Sequence, residues 1–270
     1  MTLRCDLHLH TSRSDGRYAP QEVVARCVAG GLNLIAITDH DCVWTELECA
    51  AEMSSTMRIL AGAEMTGVHE GRELHLLCYF AGAPSEAFIE LCEQQRVERR
   101  ERFFAALKTL ALKEWLPTTQ EQPLAWTRFH LAQLLVASGQ VKSIRQAFAS
   151  YLADELGVVK PMSLSFIELI RRARSAGAVV SWAHPAPKMA VRYVSAFADA
   201  GLQGLEVYRP GRSSEQRRVL RKLAKAHDLF VTGGSDWHGF EGAELGLFRV
   251  LGFEVSDFLY AMGLQAVGES

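Results

Sequence analysis

Two histidines stand two residues apart near the start of the chain, in Asp6-Leu7-His8-Leu9-His10. Side chains at i and i+2 of a strand share one face, so His8 and His10 can hold a single metal ion together. Further clusters of the same residue types follow: Ser14-Asp15-Gly16, Ile37-Thr38-Asp39-His40 and, much later, Gly234-Ser235-Asp236-Trp237-His238. Glu64, His75 and His184 add single donors. The candidate metal ligands are therefore His8, His10, Asp15, His40, Glu64, His75, His184, Asp236 and His238. Nitrogen and carboxylate donors without thiolates suit Mn, Zn or Fe rather than a closed, cysteine-rich structural zinc. The set is too large for one ion and suffices for two or three, and a carboxylate such as Glu64 can bridge neighbouring ions. Clustered divalent ions bring the pKa of a bound water down to roughly 7 and neutralise a phosphate with its developing charge. Phosphoester hydrolysis is the natural use of such a cluster.

These donors need a scaffold that delivers them to one place. Strand-like runs recur at residues 3–9, 32–38, 58–64, 73–80, 178–182, 204–208 and 229–232. Between them lie helical patterns over 20–29, 43–53, 163–176, 188–200 and 213–227. Pro20 fits a first helical turn, and Ala-Gly-Gly at 29–31 fits a stop. Alternation of this kind implies an α/β fold, a distorted seven-stranded (βα)7 TIM-like barrel with a parallel sheet. In such barrels the active site lies where strands end on the C-terminal face, and the candidate ligands fall there. His75 lies inside the fourth strand and must point inward. From about 85 to 160 the pattern is helical only, over 86–115, 127–138 and 142–152. The expected division is a barrel of residues 1–84 and 161–270 with a helical insertion of 85–160 over one end.

The chain has 270 residues, 49% of them apolar, enough for one large domain with a subdomain. A net charge of −2 argues against duplex nucleic-acid binding by electrostatics alone. The six cysteines all lie at or before Cys92, form no C-x-x-C pair and read as reduced, buried residues of a cytoplasmic protein. There is no charged-then-apolar leader and no apolar run long enough to span a bilayer, so no membrane partner is expected.

The order His-x-His, Ser-Asp-Gly, Ile-Thr-Asp-His, Gly-x-Glu, a strand-four histidine, Ala-His-Pro and Gly-Ser-Asp-x-His resembles the PHP (polymerase and histidinol phosphatase) family of the amidohydrolase superfamily. The likeness covers nearly the whole chain. Thr127-Arg128-x-His130-x-Ala132 with Leu135-Val136-x-x-Gly139 and Tyr151-Leu152 is similar to the family's nucleotide-processing branch. That branch includes a 3′,5′-nucleotide bisphosphate phosphatase, the nearer likeness, and a 5′-to-3′ exonuclease on short RNA. The resemblance implies a first metal, with the activated water, held by His8, His10, Asp236 and bridging Glu64. It implies a second held by Glu64, His75 and His184, and a third by Asp15, His40 and His238. Asp6 and Asp39 read as partners of the ligand histidines rather than as ligands. The chain departs from the pattern after Gly204-Leu205-Glu206-Val207-Tyr208, where relatives often carry a histidine and this chain has Arg209-Pro210-Gly211-Arg212.

A phosphomonoesterase acting on a small nucleotide, releasing the 3′-phosphate of a nucleoside 3′,5′-bisphosphate, is the leading expectation, with Mn2+ as the cofactor and Zn2+ or Fe2+ as alternatives. Arg128, His130, Lys160 and Arg209 are the candidates for substrate contact, together with Arg99 and Arg102 from a charge run that otherwise reads as a solvated helix face. Phe103 and Phe104 are expected to pack the insertion. Exonuclease action on short single-stranded oligonucleotides uses the same site. Histidinol phosphatase and C–N hydrolysis fit less well, the latter because the fourth strand offers His75 and no lysine. A non-catalytic metal-stabilised module predicts eroded ligands, and none is eroded. No obligate protein partner is expected.

Overall fold

The computed structural model describes residues 2–44, 57–116, 122–240 and 242–264. Its strands are β1 (Arg4–Leu9), β2 (Leu34–Ile37), β3 (Arg58–His69), β4 (Arg72–Phe80), β5 (Val179–Trp182), β6 (Gly204–Tyr208), β7 (Phe230–Gly233) and β8 (Val250–Leu251). They form one sheet in the order β7-β6-β5-β4-β3-β2-β1-β8. The helices are α1 (Pro20–Ala29), α2 (Glu86–Thr109), α3 (Arg128–Ala137), α4 (Ile144–Ala147), α5 (Phe166–Ser175), α6 (Pro187–Asp199), α7 (Ser214–Ala226) and α8 (Ser256–Ala261). The expected helix over 43–53 lies for the most part outside the described residues.

The seven expected strands are present in a TIM-like α/β barrel, with two departures from a parallel (βα)7 sheet. First, β4 runs antiparallel to both β3 and β5. Glu70 and Gly71 take φ of 48° and 76°, the left-handed pair that closes a two-residue hairpin. The chain therefore returns at once instead of crossing over through a helix. This reversal explains why His75 sits early in its strand: β4 enters the barrel at the end where its neighbours leave. Second, a short eighth strand, with α8 behind it, lies along β1 and pairs Arg4 with Leu251 and Cys5 with Val250, antiparallel. Two residues of strand carry too little periodicity to be read from sequence.

Closure is completed farther along β1. Leu9 bridges to Trp237, the Asp236 amide donates to the His8 carbonyl at 2.9 Å, and the His10 amide donates to the Trp237 carbonyl at 3.0 Å. Gly234 makes this approach possible, because a Cβ there would stand 2.3 Å from the Cβ of His8. Inside the barrel, Cys5, Leu7, Leu77, Tyr79 and Phe258 belong to one apolar cluster. The Tyr79 hydroxyl donates to the Leu7 carbonyl at 2.9 Å across the barrel. The register between β1 and β2 shifts between Asp6 and Leu9, where β1 carries one residue more than its neighbour. A bulge of this kind re-aims side chains beside a site. Within it Leu7 packs in the apolar interior, while His8, and His10 beyond it, turn to the barrel mouth.

Between β4 and α5 the described residues form helices and turns only, with a core of their own around Phe103, Leu107, Trp126, Leu131, Leu135 and Leu152. Phe103 stacks on Trp126 with ring centroids 4.4 Å apart, so the aromatics here pack this segment as expected. Glu73, at the start of β4, ties it to the barrel. Its carboxylate accepts from Arg102 of α2 at 2.6 Å, from Arg128 of α3 at 3.0 Å and from the Met162 amide at 3.1 Å.

Two outcomes test this frame. Gly234→Ala should cost about 1–3 kcal/mol through overpacking at the closure, read as a lower urea midpoint; an unchanged midpoint would show that β1 and the 234–237 segment do not need this contact. Glu73→Gln should lower the melting temperature at pH 7 by breaking a buried pair, a loss of about 3 kcal/mol. Burial raises the Glu73 pKa, but Arg102 and Arg128 outweigh it and hold the carboxyl below its ordinary range. The stability it contributes is thus present above about pH 4.3 and lost as pH falls through the lower folded value. The gap between variant and wild type should close in acid; a gap constant with pH would refute the ion-pair account.

Candidate metal centre

All nine expected ligands converge on the barrel mouth. Donor atoms that share one ion with metal–ligand bonds of about 2.1 Å must lie about 3.0–3.4 Å from one another. The Nε2 atoms of His8 and His10 are 3.1 Å apart. His8 Nε2 is 3.4 Å from both Glu64 Oε1 and Asp236 Oδ1, and His10 Nε2 is 3.3 Å from both Glu64 Oε2 and Asp236 Oδ1. His8, His10, Glu64 and Asp236 thus have the mutual spacing of ligands to one ion. A second group shares Glu64 Oε1 with His8: His75 Nδ1 and His184 Nε2 each lie 3.0 Å from that oxygen and 3.2 Å from each other. In the third, Asp15 stands 3.4 Å from His238 Nε2 and 3.6 Å from His40 Nε2.

The groups overlap more than the family pattern implies. His40 turns Nε2 to Asp15 but Nδ1 to Glu64 Oε2, 3.3 Å away, so it also belongs beside His75. His10 likewise offers Nε2 to the first group and Nδ1 to Asp15, 3.6 Å away. The buried Nδ1 atoms of both His10 and His40 lack a hydrogen-bond partner. Unpaired buried polar nitrogens facing carboxylates are what a cation between them would satisfy. On this observation and on the donor types, divalent ions fit the site. Among the described residues no cysteine joins the donor groups, which keeps the site in the range of Mn, Zn and Fe.

The local backbone is shaped for this purpose. His184 and Asp236 take φ of 34° and 56°, a region that costs energy for any residue with a Cβ and clusters at functional sites. Gly16 lets the Asp15 turn fold against β1, since a Cβ there would lie 2.5 Å from the His10 carbonyl oxygen.

Electrostatics follow from crowding. Burial raises the Glu64 pKa, but His75, His8 and His40 hold the carboxyl well below its ordinary range. Burial works against charge on His8, yet Glu64, Asp236 and Glu206 hold its pKa well above the usual value. Burial likewise lowers His10, and Asp236 and Glu64 lift it to about 10. His40 is pushed well below, by burial first. Protons and divalent ions therefore compete for the same nitrogens.

Several supporting residues differ from expectation. The carboxylate behind His8 is Glu206, not Asp6. Glu206 Oε1 accepts from His8 Nδ1 at 2.9 Å, and its Oε2 accepts the His184 amide at 2.7 Å. This fixes the tautomer that leaves His8 Nε2 free for an ion. Glu206 was legible as a lone carboxylate in the apolar run Gly204-Leu205-Glu206-Val207. Asp6, pushed up to about 7 by burial, accepts the amides of Ser235 at 2.8 Å and His8 at 3.4 Å. Asp39 takes no ligand histidine; it accepts from the Thr11 hydroxyl and the Ser14 hydroxyl, both at 2.6 Å, and so holds the Thr11–Ser14 turn.

The arginines also separate. Arg99 is buried and committed: Nε to Asp41 Oδ2 at 2.6 Å and Nη2 to Thr66 Oγ1 at 2.7 Å. It braces the loop after His40 against β3 instead of facing outward as a solvated cation or phosphate clamp. Arg102 is buried against Glu73, with its Nε and Nη1 unpartnered. Arg128 bonds Glu73 and Asp154. His130 turns Nδ1 back to the Thr127 amide at 3.0 Å as a helix cap. Arg209 reaches the cluster, with Nη2 3.0 Å from Asp236 Oδ2. Lys160 is exposed at the return to the barrel.

With this geometry in view, the comparisons with known proteins are decisive at the family level. The PHP domain model matches residues 6–209. The chain belongs to the PHP family. It is 30% identical over 248 residues to the 5′-3′ exoribonuclease Rnm of Escherichia coli, covering 86% of this chain and 84% of that protein. It is equally 30% identical over 257 residues to the 3′,5′-nucleoside bisphosphate phosphatase of Chromobacterium violaceum, covering 89% and 90%. Among solved structures, a protein from Bifidobacterium adolescentis assigned as a metal-dependent phosphoesterase superposes with a TM-score of 0.82 at 30% identity over 98% of each chain. An amidohydrolase from Chromobacterium violaceum with bound sulfate gives 0.74 at 28% identity over 91% of this chain and 90% of that one. This PHP protein is a metal-dependent phosphoesterase by family. None of its described helices is long and apolar enough to cross a membrane.

Glu206→Gln removes the charge behind His8 while keeping the side chain's size. Metal affinity should fall about 10–100-fold, measured by competition with a chromogenic chelator, with unchanged circular dichroism. Wild-type affinity would show that Glu206 does not hold His8 for an ion.

Proposed function

We propose that this protein hydrolyses the 3′-phosphate ester of a nucleotide that also carries a 5′-phosphate, and that its substrate is a nucleoside 3′,5′-bisphosphate. The observation that carries the reading is the set of overlapping donor groups around Glu64, with ligand-like spacings of 3.0–3.4 Å and Arg209 at its edge. Divalent ions bound there, Mn2+ in the first instance, supply hydroxide at neutral pH and neutralise phosphoryl oxygens. His8, His10, Asp236 and Glu64 would hold the first; Glu64, His75 and His184 the second; Asp15, His40 and His238 the third. Glu206 keeps His8 Nδ1 protonated, and His238 Nδ1 donates to the Asp236 carbonyl at 2.8 Å, so each directs Nε2 into the cluster. Arg209 presents a guanidinium where a phosphate would enter, and charge-assisted contacts to phosphate are strong and directional. Arg102, with two free buried nitrogens, Arg128, His130 and Lys160 lie on the side of the inserted helices and would take the non-scissile phosphate. Arg99 is left out of this role by its pairing with Asp41.

Exoribonuclease action is the second reading, favoured by the equal likeness to a relative of that name. Both activities break the same bond. In a 3′,5′-bisphosphate the 3′-phosphate is terminal; in a 5′-phosphorylated RNA it carries the next nucleotide. Cleavage of P–O3′ yields a nucleoside 5′-monophosphate in either case.

The test is phosphate and nucleotide release in Mn2+ from a 3′,5′-bisphosphate, the matching monophosphates, histidinol phosphate and a short 5′-phosphorylated RNA. The bisphosphate should exceed each monophosphate by about tenfold or more in kcat/KM, as expected for one charge-assisted contact. Chelation should abolish turnover. Preference for the RNA, with 5′-mononucleotides released, moves the assignment to exonuclease; preference for histidinol phosphate, or turnover without metal, overturns it.

A further inference from the structure

Away from the metal cluster, a groove of about 1140 Å³ lies at the start of β7, between α7 and the turn Gly252–Val255 that precedes α8. Its two walls differ in kind. The α7 wall carries Arg217, Arg218, Arg221, Lys222 and Lys225; the one acid of the helix, Glu215, stands in its first turn, and the next, Asp228, lies beyond its end. Arg218 is held by Glu215, but among the described residues no ion pair holds the other four, and all are exposed. Arg217, Arg221 and Lys225 recur every four residues, so they form a row with steps of about 6 Å along the helix. The opposite wall carries Phe253, 71% exposed, with Glu254 and Asp257. Leu229, Phe230 and Tyr208 form an apolar floor between them. Phe253 is a large aromatic left in solvent across from a row of cations; among the described residues it makes no ring contact and the row makes no ion pair.

We infer that this groove binds single-stranded nucleic acid, with the phosphodiester backbone along α7 and bases toward Phe253. A single strand has one anionic edge and one aromatic edge, which matches the two walls. Cationic grooves that track a backbone and aromatics that stack bases are the elements of sequence-tolerant single-strand binding. Carboxylates on the base side are compatible with this, since they accept from exocyclic amino groups. One segment serves both the groove and the metal cluster. Tyr208 lines it, and the next residue, Arg209, contacts Asp236 in the metal cluster. The β6–α7 loop, which departs from the family pattern, thus joins the two. The inference rests on the nucleotide reading above and extends it: a strand whose 5′-terminal nucleotide occupies the barrel mouth would continue along α7. The net charge of −2 does not oppose this, because the cations are gathered on one helix.

The experiment measures binding of a 3′-labelled phosphorothioate oligouridylate, which keeps its charges and resists hydrolysis, to the full-length Mn2+-loaded protein by fluorescence anisotropy. In Arg217→Gln/Arg221→Gln/Lys225→Gln, Kd should rise at least about tenfold at low salt. The slope of log Kd against log salt should flatten by about 2, some 0.7 for each phosphate no longer neutralised. Phe253→Ala should weaken binding by about fivefold or more with the slope unchanged, as expected when a base is deprived of its stacking partner. Turnover of the 3′,5′-bisphosphate should match wild type in both variants. Unaltered Kd and slope in the triple variant would overturn the inference. So would displacement of the oligouridylate by polyglutamate as effectively as by polyuridylate, which would assign the groove to an acidic protein partner. If the triple variant is unfolded by circular dichroism, Arg221→Gln and Phe253→Ala decide alone. Failure of the wild type to hydrolyse the bisphosphate sinks the nucleotide reading and leaves the affinity comparison intact.

Discussion

The structure depends on burying the carboxylate of Glu64. A buried ionised carboxylate is tolerated only when it is paired. Here both oxygens are spent on imidazoles: Oε1 faces His8, His75 and His184, and Oε2 faces His10 and His40. Those histidines come from β1, from the segment after β2, from β4 and from the loop after β5. The barrel can close only in a register that brings them to one point. Without cations the imidazoles of His8 and His10, whose Nε2 atoms stand 3.1 Å apart, would crowd their protons against one another. The irregularities of the frame serve the same end. The β1 bulge, the reversed β4, and the positive φ of His184 and Asp236 each place a donor where regular geometry would not.

How much of this was legible follows from what each feature costs or exposes. The nine donors were readable because chemistry demands particular residue types, and they stand at the ends of apolar runs. Their grouping was less readable. His10 and His40 each offer two nitrogens, and only three-dimensional placement shows that both face two groups. The strand positions were readable for the longer apolar runs, but strand direction was not. An apolar alternation looks the same forward and reversed, and the Glu70-Gly71 turn was the only local sign that β4 doubles back.

The arginines of α2 show the limit of pattern reading. A run of cations on a helix is ordinarily a solvated face. Arg99 and Arg102 are instead buried, because Asp41 and Glu73 reach them from the barrel. Both carboxylates lie far away in sequence, and neither stands out in its local run. The same mechanism explains why these side chains do structural work first. Pairing with Asp41 and Glu73 docks the inserted helices beside the cluster. Arg102, with two nitrogens left unpartnered, retains capacity for an anion after that docking is satisfied.

Substrate choice in this architecture is separable from bond breaking. The metal cluster recognises a phosphoryl group and is indifferent to what hangs from it, since phosphoryl transfer draws on positioning and charge rather than on covalent participation of the protein. Discrimination among phosphate esters must therefore come from surfaces outside the cluster. Two such surfaces adjoin the mouth. The inserted helices bring buried guanidinium groups tied to Glu73, and the β6–α7 loop brings Arg209 and leads to the cationic face of α7. Their side chains can change without disturbing Glu64 or its histidines. A shared cluster with independent surroundings suits a chain similar both to an exoribonuclease and to a nucleoside bisphosphate phosphatase.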